Sequence, residues 1–314
     1  MVQNCDMSNY CTYYVFVNII VVRSVLLWAH RVLAPIGKGG FMMELLLPNY
    51  ADYVIGVPQR LVDAMSFDVA NIVPYFIPFV LCMTFGYLLY TEAGNVYKRE
   101  GVEPYPVYMH CWMITFDFTG TVMSIYMWVT TGFFWLWALW SIAFPIWMIM
   151  EAQSILRSCK SEEIRLQNFG KMSKEPISEK KALLWCGGMI VVCLFVNLWI
   201  YSLLGGWSNF PYYLVIPFSN YVFAIWTAKW WRERAAETGT RRGNSLKLQV
   251  IILIQISLMW IPGLSWYVAT MPCFHNIWFY LLGMLMTALA AYNTYQCYKL
   301  PKAPEADKVI ESTE

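Results

Sequence analysis

Residues 104–128 read PYPVYMHCWMITFDFTGTVMSIYMW, and one residue within them, Asp117, decides how the chain is read. The stretch is membrane-length, because a span needs about 20 predominantly apolar residues. Asp117 is the only charged residue between Pro104 and Met150. A carboxylate at bilayer depth is costly, so such a residue faces the interior of a bundle and serves a purpose there.

Working outward, the composition agrees. The chain of 314 residues is 59% hydrophobic and 13% charged, about half the charge fraction of soluble domains. An integral membrane protein with one bundle is expected. The net charge of +2 is too small to suggest nucleic acid as a partner; the lipid bilayer is the expected partner. The first apolar run lacks a basic start and is interrupted by Arg23, so it does not read as a cleavable signal. The nine cysteines form no CxxC pair and no Cys/His cluster. They read as small core residues, and no metal and no cofactor is expected. Oligomeric state is not legible.

Three uncharged stretches fix the spans: Phe118 to Met150, Ala182 to Ala228 and Leu248 to Tyr298. The last two are long enough for two helices each, with breaks at Gly205–Pro211 and Thr270–Pro272. An all-α polytopic bundle of seven or eight transmembrane helices is expected, with spans near 72–91, 106–128, 131–150, 182–204, 211–229, 247–269 and 275–297. An eighth segment at 12–29 reads as a span or an interfacial helix. The expected organisation is an N-terminal segment 1–70, a catalytic bundle 71–298 and a tail 299–314. Loops 92–105, 151–181 and 230–246 and the tail are rich in Lys and Arg; connections 129–130, 205–210 and 270–274 carry none. Basic loops stay in the cytosol, which gives the orientation.

Several polar groups fall at membrane depth. His110 lies seven residues before Asp117, two turns away on the same helix face. Asn197, Asn220, Gln255 and Asn293 fall on four other spans. Packing glue between helices is the bland reading for each; together they suggest a polar seam in an apolar cavity. Glu92 and Glu151 end two spans and are expected at the interface. They are also the candidates for a second acid beside Asp117, since enzymes often pair ionisable groups. Trp137, Trp140, Trp199 and Trp260 lie inside spans, where an aromatic belt does not account for them. Electron-rich ring faces stabilise a cation by about 2 kcal/mol when desolvated. A cavity that handles carbocations would be lined in this way. The paired Asp-rich motifs that hold diphosphate through magnesium are missing, and no internal repeat suggests a transporter.

These features resemble the small integral membrane terpene cyclases of fungal meroterpenoid and indole-diterpene pathways, in particular the longer ascofuranone and ascochlorin type. The resemblance runs over roughly residues 70–298. It is carried by the early acid Asp117 in CWMITFDFTG, the pair Ser219-Asn220 in IPFSNYVF, and Thr240-Arg241-Arg242-Gly243-Asn244-Ser245-Leu246. Commoner members carry Glu at the early acid and a second acid in the last span, where this chain has Asn293. The resemblance implies a multi-pass protein of the endoplasmic reticulum. It also implies a hydrophobic substrate with a terminal epoxide on a farnesyl chain, and an acid that protonates that epoxide. Ser219 and Arg242 are then expected to support the site, with Arg242 reaching Glu151 or Asn220. The alternative is a non-catalytic membrane protein: a transporter, a receptor-like seven-span protein or a subunit of a larger complex.

Overall fold

The computed structural model describes residues 56–68, 71–170 and 177–303. Every regular element among them is helical. In chain order these are α1 (Val57–Met65), α2 (Val73–Glu100), α3 (Val107–Thr130), α4 (Trp135–Lys160), α5 (Glu162–Phe169), α6 (Glu179–Leu203), α7 (Tyr212–Thr238), α8 (Leu246–Leu258), α9 (Trp266–Thr270) and α10 (Ile277–Lys299). Short 3-10 turns, Trp207–Asn209 and Pro272–Phe274, precede α7 and α10. The expected helix at 12–29 lies outside the described residues.

Helix starts are fixed locally. Ser161, Ser178, Ser245, Ser265 and Asn276 each accept a backbone N–H of the following helix through the side chain, which satisfies a donor the helix leaves unpaired. The two breaks expected at 205–211 and 270–272 are present. Four helices, α2, α4, α6 and α10, are long and apolar enough to cross a membrane. The expected span 247–269 is not one helix. Its chain stops at Leu258 after 13 residues, about 20 Å of helix against a hydrocarbon core of ~30 Å. Pro262 cannot continue the hydrogen-bond ladder, and Ser265 then caps a separate short helix, α9.

The bundle centres on α3, which packs along α4 and α6, while α8 packs against α2 and α10. The short α1 is pinned to the far end: Asn209 accepts the Gly56 N–H at 2.9 Å, and the Trp135 indole donates to Met65 O at 3.0 Å. The ordinary soluble arrangement is inverted. Phe195, Leu184 and Ile142 are 69, 67 and 64% exposed, whereas Asp117, Glu151 and Asn197 are 2, 0 and 0% exposed. Apolar faces turned outward around buried polar groups fit a protein whose solvent is lipid.

Candidate functional site

Six helices close around one cavity. Its wall takes Cys82, Gly86 and Tyr90 from α2, Met113, Phe116 and Asp117 from α3, and Trp140, Phe144 and Trp147 from α4. Tyr212, Ile216, Asn220 and Phe223 come from α7, Gln255 from α8, and Trp266 and Tyr267 from α9. Along α2, α4 and α7 these residues recur every three or four positions, one face of a helix, and on α3 Met113 stands three and four residues before Phe116 and Asp117. Nine of these sixteen side chains are aromatic. The cavity volume is about 50 Å³, room for about three or four waters.

Asp117 sits in this wall. Its Oδ1 accepts the Tyr212 hydroxyl at 3.2 Å, and its buried Oδ2 has no partner among the described residues. Tyr212 is held in turn by rings, stacked on Phe116 with centroids 4.2 Å apart and leaning on Phe144 at 4.8 Å. Across the cavity Gln255 donates to Asn220 Oδ1 at 3.2 Å, and Asn220 donates to Ile216 O at 3.0 Å. Gln255 Oε1 is left without a partner. Two acceptor oxygens free of protein donors, within an aromatic wall, define the polar equipment of the cavity.

A second carboxyl stands behind the wall. Glu151 is buried completely, not interfacial as expected. It accepts the Tyr90 hydroxyl at Oε1 and pairs with His110 Nδ1 at Oε2. Tyr90 lines the cavity, so its hydroxyl connects the cavity to Glu151. His110 turns to Glu151 rather than to Asp117. Its Nε2 has no protein partner, and the Tyr105 ring packs edge-on to it at 5.9 Å. α4 runs to Lys160, about three turns past the expected end of its span at Met150, which keeps Glu151 inside the bundle.

Glu92 is also buried, again contrary to an interfacial position, but it serves another purpose. It accepts the Ser245 hydroxyl at 2.9 Å and pairs with Lys247 at 3.0 Å. The Arg-Gly-Asn-Ser segment thus ties α8 to α2. Gly243 donates its N–H to Glu100 at 2.6 Å and adopts a left-handed backbone, φ 74°. A Cβ at that position would fall 1.7 Å from Arg234 Nη1, so only glycine fits. Arg234, beyond the expected span, donates to Glu103 O at 2.5 Å and to Gln167 at 2.6 Å. Burial lowers its pKa to about 10, so it stays charged at neutral pH. Arg242 does not reach Glu151 or Asn220. It pairs with the exposed Glu163 at 2.7 Å, at the surface.

The remaining expected site residues scatter. Trp140 lines the cavity. Trp137 is buried one turn away against Phe210, with centroids 4.8 Å apart. Trp199 is exposed on the outer face of α6, and the Trp260 indole donates to Thr287 at 2.8 Å between α8 and α10. Asn197 donates to Thr115 at 2.9 Å, where α6 meets α3. Asn293 accepts from Arg232 at 2.7 Å and donates to Ala224 O at 3.0 Å. Ser219 accepts the Trp112 indole at 3.4 Å. Of the expected seam, only Asn220 and Gln255 meet in the cavity. Tyr90, Tyr212 and Tyr267 are cavity residues that the reading of spans did not single out. Tyr90 follows Gly86 by four residues and Tyr212 precedes Ile216 by four, and that helical spacing was the available signal for these two.

No family model matches the chain, and no curated protein or solved structure shows significant similarity to it.

Proposed function

We propose that the chain is a multi-pass cyclase of the endoplasmic reticulum membrane, crossing seven or eight times. It opens the terminal epoxide of a prenylated aromatic or polyketide precursor. The observation that carries this reading is Asp117, buried in an aromatic wall with Oδ2 uncommitted and a second carboxyl, Glu151, one tyrosine hydroxyl behind the same wall. Protonated Asp117 gives its proton to the epoxide oxygen as the C–O bond to the tertiary carbon breaks. The resulting cation lies against ring faces such as Trp140 and Phe144, which stabilise it. An internal alkene or hydroxyl attacks. The final proton passes to the Tyr90 oxygen while Tyr90 hands its own proton to Glu151. Return of that proton from Glu151 through the Tyr90 hydroxyl to Asp117, across the cavity both line, restores the starting state, so the net change is an isomerisation and consumes nothing. A dry wall keeps water from quenching the cation.

The cavity volume of about 50 Å³ is far below the roughly 300 Å³ of ordinary ligand sites. Admission of a farnesyl chain therefore requires side chains of the wall to swing outward. The same figure favours a second reading, a non-catalytic membrane protein in which Asp117 and Tyr212 only lock α3 to α7. Expression in a host supplied with epoxyfarnesyl arenes, followed by product analysis, separates the two. A cyclised isomer that is lost in Asp117→Asn supports the cyclase; no conversion of any such substrate supports the lock.

A further inference from the structure

We propose that the groove between the ends of α7 and α10 binds the phosphate headgroup of an anionic phospholipid. The groove has a volume of about 200 Å³ and is lined by Trp231, Arg232, Tyr292, Gln296 and Lys299, among others. Arg232 and Lys299 bring two positive charges to it, and among the described residues no Asp or Glu lines it. The Arg232 guanidinium is held in place from one side only. Its Nη2 donates to Asn293 at 2.7 Å, its Cζ lies 4.8 Å from the Tyr292 ring centre, and its Nε has no partner among the described residues. Lys299 is exposed and lies 4.3 Å from the Tyr295 ring centre.

The surroundings select a lipid over a free anion. Seven residues before Arg232 stands the exposed Ile225 of α7, and seven before Tyr292 the exposed Leu285 of α10, each two turns deeper on the same face of its helix. A phosphate seated between the two cations would place its acyl chains along these apolar residues. Tyrosine and tryptophan beside cations are the side chains that settle at the boundary between headgroups and hydrocarbon. A basic pocket between membrane helices at that depth suits an acidic headgroup. The inference rests on the membrane placement of the bundle and not on chemistry at Asp117.

Thermal unfolding of the purified full chain in zwitterionic detergent tests it, with three additives: short-chain phosphatidylinositol, short-chain phosphatidylcholine and inorganic phosphate. Stabilisation by the first alone is expected. Lys299→Gln changes an exposed side chain and keeps the fold. It should weaken the apparent affinity about fivefold, one cation near an anionic headgroup being worth about that much. Arg232→Gln should abolish the effect, and if that variant does not fold the Lys299→Gln comparison decides. Equal stabilisation by phosphatidylcholine or by inorganic phosphate overturns the proposal, as does wild-type affinity in Lys299→Gln. Loss of lipid binding with cyclisation retained, or the reverse, tells failure of this site from failure of the cyclase reading.

Discussion

Gly120 lies directly beneath the ring of Tyr212: a Cβ on Gly120 would stand 2.6 Å from Tyr212 Cε2. The absent methyl lets α7 lean on α3 closely enough for the Tyr212 hydroxyl to reach Asp117. The position of the acid thus depends on a glycine one turn further along its own helix.

Gly120→Ala should push Tyr212 off Asp117 and cost about 1–3 kcal/mol, the usual range for overpacking a core. Tyr212→Phe removes only the hydroxyl and should cost about 1 kcal/mol. Thermal unfolding in detergent checks both. Equal stability of Gly120→Ala and wild type would mean that the ring has room to move.

Asp117→Asn keeps the shape of the side chain and removes its acidity. Under the cyclase reading turnover should fall at least ~100-fold, the lower scale of general acid catalysis, with protein level near wild type. Product analysis on membranes carrying matched amounts of each protein measures it. Normal turnover would leave Asp117 as a helix lock.

Tyr90→Phe separates a relay from a scaffold. It leaves Glu151 paired with His110 and so should preserve the fold, yet product formation should drop if the terminal proton travels through the hydroxyl. Glu151→Gln, by contrast, strips His110 of its carboxylate and should destabilise the protein by about 3–5 kcal/mol. Unchanged product formation in a folded Tyr90→Phe protein would remove Glu151 from the chemistry.

Arg242→Lys should be almost silent, within about 0.5 kcal/mol, because its partner Glu163 is exposed and such pairs are worth little. Arg234→Lys should cost about 1–3 kcal/mol, since a lysine cannot donate to Glu103 O and Gln167 in the same fork. Parallel unfolding curves of the two variants test the contrast, and the reverse order would mean that Arg242 holds the site.

The orientation is testable with single cysteines at two exposed positions, Ser208 and Glu237, one in a neutral connection and one in a basic loop. A membrane-impermeant thiol reagent should label them from opposite sides. Labelling of both from one side would overturn the alternation of basic and neutral loops.

The breaks were legible where the chain itself breaks: Gly205–Pro211 and Thr270–Pro272 stop helices through backbone chemistry that needs no tertiary context. Asp117 was legible because a lone charge in an apolar run has few places to go. The facing of the other helices was not. A helix apolar on all sides gives no stripe to say which face points inward, so Trp199 could be read as cavity lining when it points out. Glu92 and Glu151 read as interfacial because they follow the last apolar residues. What buries them are partners distant in sequence, Ser245 and Lys247 for one, Tyr90 and His110 for the other. The early stop of α8 turns on Pro262 and Gly263, whose effect is hidden inside an otherwise apolar stretch.

The outward-facing residues of α6 carry a consequence for mutational tolerance. In a water-soluble protein Phe195, at 69% exposed, would accept lysine almost freely. Here the same change would set a charge against lipid and tax insertion by about 2.5–3.5 kcal/mol near mid-span. A saturation map of this chain should therefore show its strictest intolerance of charge on the rim that looks most accessible. Interior positions beside Asn220 or Asn197 should accept small polar residues more readily than the rim does.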